Sequence, residues 1–313
     1  MRRTTLLVIT IFLAAGAAAL SVTAAPARDT RTSADCCLTT TGLVPLTDMG
    51  TRKYHGYRGG LYPGGLNRPP KAYMKKGVAA ARRVHPIDGK IVLLSVGMSN
   101  ASAEFSAFKR SSDHDPQVNS SVVVVDGAQD GYDATRLVAH PGYWDNVDAR
   151  LANAGVSADQ VQAMWLKEAI AGESRRFPRD ARALQRALRT IIRTARLRYP
   201  NLQLIYVSSR TYGGYAITGL NPEPAAYDSG YAVRWVVQDR MRGKLKGPWV
   251  GWGPYLWTDG LSGRSDGLIW TCDDVEEDGT HPSAKGVQKV VNLLTTFFKN
   301  DPTAKRWYVG KPL

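Results

Sequence analysis

Asp278 and His281 stand three residues apart in "DGTHPSAKG", with a proline directly after the histidine and a helix-like run beyond. A carboxylate at that spacing can fold back onto one imidazole nitrogen through a tight turn of two small residues. It then fixes the ring's tautomer and orientation and leaves the other nitrogen to act as a general base. Such a base needs a nucleophile, and serine is the residue type that requires one, because its hydroxyl is unreactive until a neighbour takes the proton. Ser99, in "SVGMSNAS", sits where an apolar run gives way to a helix-like segment. The amides of a helix N-terminus can stabilise negative charge growing on a carbonyl oxygen there. Each residue also has a plainer reading. Ser99 can be an N-cap, and Thr280 or Ser283 can cap the last helix with Pro282 at its first position. Among His55, His85, His114, His140 and His281, only His281 has a carboxylate three residues earlier and a helix-like run after it.

The elements that must bring these residues together are legible as apolar runs. "KIVLLSVG", from residue 90, is a short buried strand followed by the helical "SNASAEFSAFKRS"; "SSVVVVDG", "QVQAMWL" and "LQLIYVSS" are further strands, and "DGLIWTC" is a candidate fifth. Residues 178–198 predict a long amphipathic helix with Leu184, Leu188, Ile191, Ile192 and Ala195 on one face. "SAKGVQKVVNLLTTFFK" predicts the closing helix. Continuous apolar strands alternating with helices predict a parallel sheet covered on both faces, with function gathered at the carboxyl edge of the strands. Residues 28–89 are rich in glycine, proline and tyrosine and are expected to wrap the domain as turns and extended chain. Residues 90–313 are expected to form one domain, with residues 210–265 an irregular, aromatic loop insertion above the sheet edge.

Composition narrows the function classes. With 43% hydrophobic and 22% charged residues among 313, the chain has material for a core and does not match a disordered protein. Residues 1–27 carry Arg2 and Arg3, an apolar run and small residues at Ala24–Ala27, the pattern of a secretory signal peptide. This predicts an exported protein, secreted or periplasmic, with no stable membrane span once the signal is removed. The formal charge of +14 becomes 14 − 2 = +12 without those two arginines. Export makes nucleic acid a poor partner for this charge, and no interleaving of basic and aromatic residues supports one; an anionic polymer fits better. Much of the charge lies in "RDARALQRALRTIIRTARLRYP", where a solvated helix face accounts for it. In an oxidising compartment a disulfide from Cys36 or Cys37 to Cys272 is expected, and the sequence leaves that choice open. Asp113, His114 and Asp115 form a short acidic loop that nothing else completes as a metal site, so neither a metal nor a cofactor is expected.

"GMSN" after the first strand and "DGTHP" before the last helix resemble the first and last motif blocks of the SGNH (GDSL-type) hydrolase superfamily, over roughly residues 90–300. The short "GMSN" form is nearer to its carbohydrate acetylesterase branch. The resemblance implies a three-layer α/β/α flavodoxin-like parallel sheet, with Ser99 as nucleophile, His281 as general base and Asp278 as its orienting acid. Ser99 and Gly127, in "VVVVDGAQDG", would supply oxyanion-hole amides, although Asp130 stands where a second glycine is usual. The third block departs from the pattern. "MWLKEA" has Lys167 and no asparagine or glutamine at the strand end. Lys167 is then either a cationic oxyanion donor or a structural partner of Asp126 or Glu168. Tyr212, Trp252 and Trp257 in the aromatic insertion are candidate sugar-stacking rings. The expected function is a secreted serine esterase removing acyl, foremost acetyl, groups from a carbohydrate or cell-wall polymer. The alternative is a carbohydrate-binding or wall-associated protein on the same fold without the reaction.

Overall fold

In the computed structural model, which describes residues 36–172 and 176–310, the apolar runs form one five-stranded sheet. Strands β1 (Ile91–Gly97), β2 (Val122–Val125), β3 (Val161–Lys167), β4 (Leu204–Ser208) and β5 (Trp249–Trp252) lie in the order β2-β1-β3-β4-β5, with every neighbouring pair parallel. This is the flavodoxin-like order expected from the resemblance. β1, β3 and β4 are buried along their whole length, as strands covered on both faces must be, and so they read as unbroken apolar runs.

Helix α1 (Lys71–Ala81) precedes the sheet. α2 (Ser99–Asp113) follows β1; α3 (Ala134–Ala139) and α4 (Gly142–Asn153) follow β2; α5 (Arg179–Arg198), α6 (Ala225–Met241) and α7 (Ala284–Asn300) complete the layers. Parallel crossovers are right-handed. The step from β1 out to β2 therefore puts α2 on one face, and the steps in the opposite direction put α5 and α6 on the other. α7 packs beside α2, and α5 beside α6. On α5, Leu184, Leu188, Ile191 and Ile192 are each no more than 2% exposed. At about 2 kcal/mol apiece, this stripe holds the helix to the sheet while its arginines remain at least partly solvated.

Three expectations are corrected. "DGLIWTC" is not a strand; it runs as coil into a single 3-10 turn at Cys272–Asp274. The fifth strand is Trp249–Trp252, inside the segment read as an irregular insertion, and the same segment holds the 17-residue helix α6. The glycine- and proline-rich N-terminal region also contains a helix, α1, whose Gly77 lies against Trp249 with no room for a Cβ.

The start of the described chain is pinned to the fold. The Asp259 carboxylate accepts hydrogen bonds from the amides of Thr41 (2.7 Å) and Gly42 (3.0 Å) and from the hydroxyls of Thr40 and Thr41. Cys36 is bonded to Cys272, with Cα atoms 5.4 Å apart, which settles the choice left open by the sequence. The expected signal peptide, residues 1–27, lies outside the described residues, and among these no helix is long and apolar enough to cross a membrane.

Candidate active site

The carboxyl end of β1 delivers Ser99 to the sheet edge through a close approach of backbones. A Cβ on Gly97 would lie 2.5 Å from the carbonyl oxygen of Lys167 and 2.5 Å from the Ala101 side chain, so a larger residue would force β1, β3 and α2 apart. α2 begins at Ser99 itself, and its first-turn amides have no partner within the helix.

Ser99 and His281 meet although 182 positions separate them: Ser99 Oγ lies 2.8 Å from His281 Nε2. On the far side of the ring His281 Nδ1 is 2.5 Å from Asp278 Oδ2. With the proton on Nδ1 donated to the carboxylate, Nε2 is free to accept the serine proton. The other carboxylate oxygen, Oδ1, accepts from the backbone amides of Thr280 and His281, both at 2.9 Å. Burial alone would push Asp278 up, but those amides and the imidazole outweigh it and hold the carboxyl below its ordinary value. An acid that stays ionised keeps its partner imidazole oriented. The loop that makes this possible depends on Gly279, at φ +68°, where a Cβ would fall 1.7 Å from the Tyr215 carbonyl oxygen. Asn100 ties α2 to the same loop by donating from Nδ2 to the Thr280 carbonyl at 2.8 Å. Ser283, not Thr280, caps α7, accepting from the Gly286 amide, and Pro282 precedes that cap.

These groups open into a cavity of about 720 Å³, lined among others by Met98, Ser99, Ala103, Gly131, Leu220 and His281. That volume lies within the range typical of small-molecule sites, roughly 300–1,000 Å³.

Other expected site residues are placed elsewhere. Gly127 does not line the cavity; its amide donates to the buried Ser95 hydroxyl at 3.0 Å, so it has no free N–H for an oxyanion. Gly131, at φ +72°, does line the cavity, and its amide has no acceptor among the described residues. The sequence signal for it was present in "GAQDG": the second glycine is displaced by one position, past Asp130. Lys167 points its ammonium into the protein and pairs with neither Asp126 nor Glu168. Its Nζ lies 2.5 and 2.6 Å from the two carboxylate oxygens of Glu104 on α2, and both side chains are buried. Burial pushes Lys167 down to about 8 against the opposing pull of Glu104, and pushes Glu104 up. Asp126 instead accepts from the hydroxyls of Ser95, Ser102 and Ser106.

Tyr212, Trp252 and Trp257 are 3%, 4% and 0% exposed. Their polar tips are spent inside the protein, on the carbonyls of Leu38 and Leu61 and on the Glu223 carboxylate. Rings packed in this way present no face to a sugar, and the expectation that they stack on one is withdrawn. Asp113 and Asp115 pair with Lys109 and Lys299, and His114 Nδ1 contacts the Arg110 carbonyl.

No family model matches this chain, nor does any curated protein sequence. Among solved structures the chain is similar to a psychrotrophic esterase from Pseudoalteromonas, at 13% identity over 66% of this chain and 96% of that one, with a TM-score of 0.40. It is similar to a GDSL-like lipase from Bacteroides thetaiotaomicron, at 7% identity over 72% and 95% of the two chains, TM-score 0.40. A third is the periplasmic domain of a lipopolysaccharide acetyltransferase from Salmonella Paratyphi A, at 12% identity over 72% and 95%, TM-score 0.39. The strand order is the one that the resemblance to SGNH hydrolases implies.

Proposed function

We propose that this protein is a serine hydrolase of carboxylic esters, working through an acyl-enzyme at Ser99. The observation that carries the reading is the unbroken chain Ser99 Oγ–His281 Nε2–Asp278 at 2.8 and 2.5 Å, opening into a cavity. Ser99 Oγ attacks the acyl carbonyl as its proton passes to His281 Nε2, and ionised Asp278 stabilises the resulting imidazolium. The oxyanion rests on the amides of Ser99 and Gly131, an arrangement in which each donor contributes about 3 kcal/mol to the barrier reduction. His281 then protonates the departing alkoxide, and water, deprotonated by the same nitrogen, releases the acid.

For the substrate, we propose acyl, foremost acetyl, esters of a carbohydrate or cell-wall polymer met after export. The signal-like N-terminus and the charge of 14 − 2 = +12 that remains without Arg2 and Arg3 support this; the buried aromatic rings do not contribute.

The test combines fluorophosphonate labelling with p-nitrophenyl acetate hydrolysis by the wild type, Ser99→Ala and His281→Ala. We expect the probe on Ser99 and loss of turnover in both variants. Equal rates in all three proteins with no labelled serine would sink the enzyme and leave the binding-protein alternative.

A further inference from the structure

A second, smaller cavity of about 310 Å³ lies between α5 and α6, beside Tyr57, and shares no lining residue with the Ser99 cavity. Among the described residues three arginines line it: Arg182 from α5, Arg234 from α6, and Arg242 at the C-terminal cap of α6. Arg234 is only 5% exposed. Its Nη1 donates to the Arg58 backbone carbonyl, its Nε is buried without an acceptor, and it pairs with no carboxylate among the described residues. The guanidinium carbon of Arg182 lies over the Trp235 ring, 3.6 Å from its centroid, and its Nη1 donates to Gln185. Arg242 stands exposed at the rim. The one acid lining the cavity among the described residues, Asp239, is already engaged by Arg189 at 2.7 Å and Gln185 at 2.8 Å.

A guanidinium withdrawn from water without a counter-ion is unfavourable, and the folded state tolerates it only where something else repays the lost hydration. An anion in the adjoining cavity would do so. Arginine forks bind oxyanions through paired N–H donors. Three of them around one small space match a group with three or four acceptor oxygens better than the two of a carboxylate.

We propose that this cavity is a binding site for a tetrahedral oxyanion, a phosphate group either free or carried as a phosphodiester on an anionic polymer. The site does not depend on the esterase reading, and its occupation leaves the Ser99 chemistry untouched.

The test is calorimetric titration of the full chain with inorganic phosphate at constant ionic strength, repeated with acetate and with a soluble polyol-phosphate polymer. The proteins are the wild type, Arg242→Gln and Arg182→Gln, each checked for fold by circular dichroism and for p-nitrophenyl acetate turnover. We expect one saturable phosphate site, at least tenfold weaker in both variants, with turnover unchanged and acetate at least tenfold weaker than phosphate. Binding of the polymer assigns the group to a polymer; binding of inorganic phosphate without the polymer assigns it to the free ion, and both support the site. Absence of saturable binding, equal affinity in the variants, or acetate binding as tightly as phosphate would overturn it.

Discussion

Lys167→Met strips the cation from a pair whose side chains are 1% and 0% exposed, and so separates a structural role from a catalytic one. Methionine fills nearly the same volume, so packing changes little and the dominant effect is Glu104 left without its ion-pair partner, with only the buried Arg210 still drawing on its charge. Removing one partner of a buried pair costs about 3–5 kcal/mol. Burial already pushes Glu104 up, so the variant relieves part of that penalty by taking a proton, which places the expected loss near the lower figure. With a urea dependence of about 3 kcal/mol per molar for a large domain, the unfolding midpoint should fall by roughly 1 M. Glu104→Leu/Lys167→Met, with neither charge, should recover most of the loss, because well-packed apolar replacements of buried pairs are often neutral or stabilising. Ester turnover per folded molecule should change little in either variant. The reasoning fails if Lys167→Met unfolds within 1 kcal/mol of the wild type while turnover drops by about 10²–10³, the loss expected for a missing oxyanion donor.

Two further outcomes follow from groups away from the nucleophile. Burial pushes Glu223 from 4.5 up to about 7, against the donors Gly213, Trp257 and Tyr227. A carboxyl whose folded value is raised contributes stability fully present below the unfolded value and lost as pH rises through the folded one. Stability should therefore decline between pH 4.5 and about 7, by up to about 3 kcal/mol from this group, with Asp228, also pushed up to about 7, adding to the slope. Urea unfolding at pH 4.5 and 8 should show a shallower decline in Glu223→Gln, and parallel curves would refute the assignment. Cys36→Ser opens a loop of 236 positions and should cost about 2–5 kcal/mol. The wild type under reductant should match it, and a difference from the oxidised protein below 1 kcal/mol would contradict that expectation.

What the sequence disclosed and what it hid divide along one physical line. β1, β3 and β4 are uninterrupted apolar runs because both faces are covered, and the Asp278–His281 turn is local, so both were readable from neighbours in the chain. α6 was not, because Ala225–Val237 are buried on every side and no polar stripe marks a helical period. β5, "WVGW", has a glycine and two tryptophans where a strand pattern would show β-branched residues. The partner of Lys167 lies 63 positions away on α2, so no spacing rule points to Glu104. The aromatic residues of 210–265 were read as exposed because composition says nothing about which side of a loop is covered. Gly131 was missed by one position, since a one-residue difference in a turn alters which amide faces the cavity without altering the motif's appearance.

The Cys36–Cys272 bond joins the start of the described chain to a point six residues before Asp278. Every connection between the strands of the sheet lies inside that closed ring. A protease that severs any one of them therefore releases no fragment: the two pieces remain covalently joined through sulfur, and the halves carrying Ser99 and His281 cannot diffuse apart. On the proposed export, where proteases would be met, one clipped loop would be an injury from which the assembled site can recover.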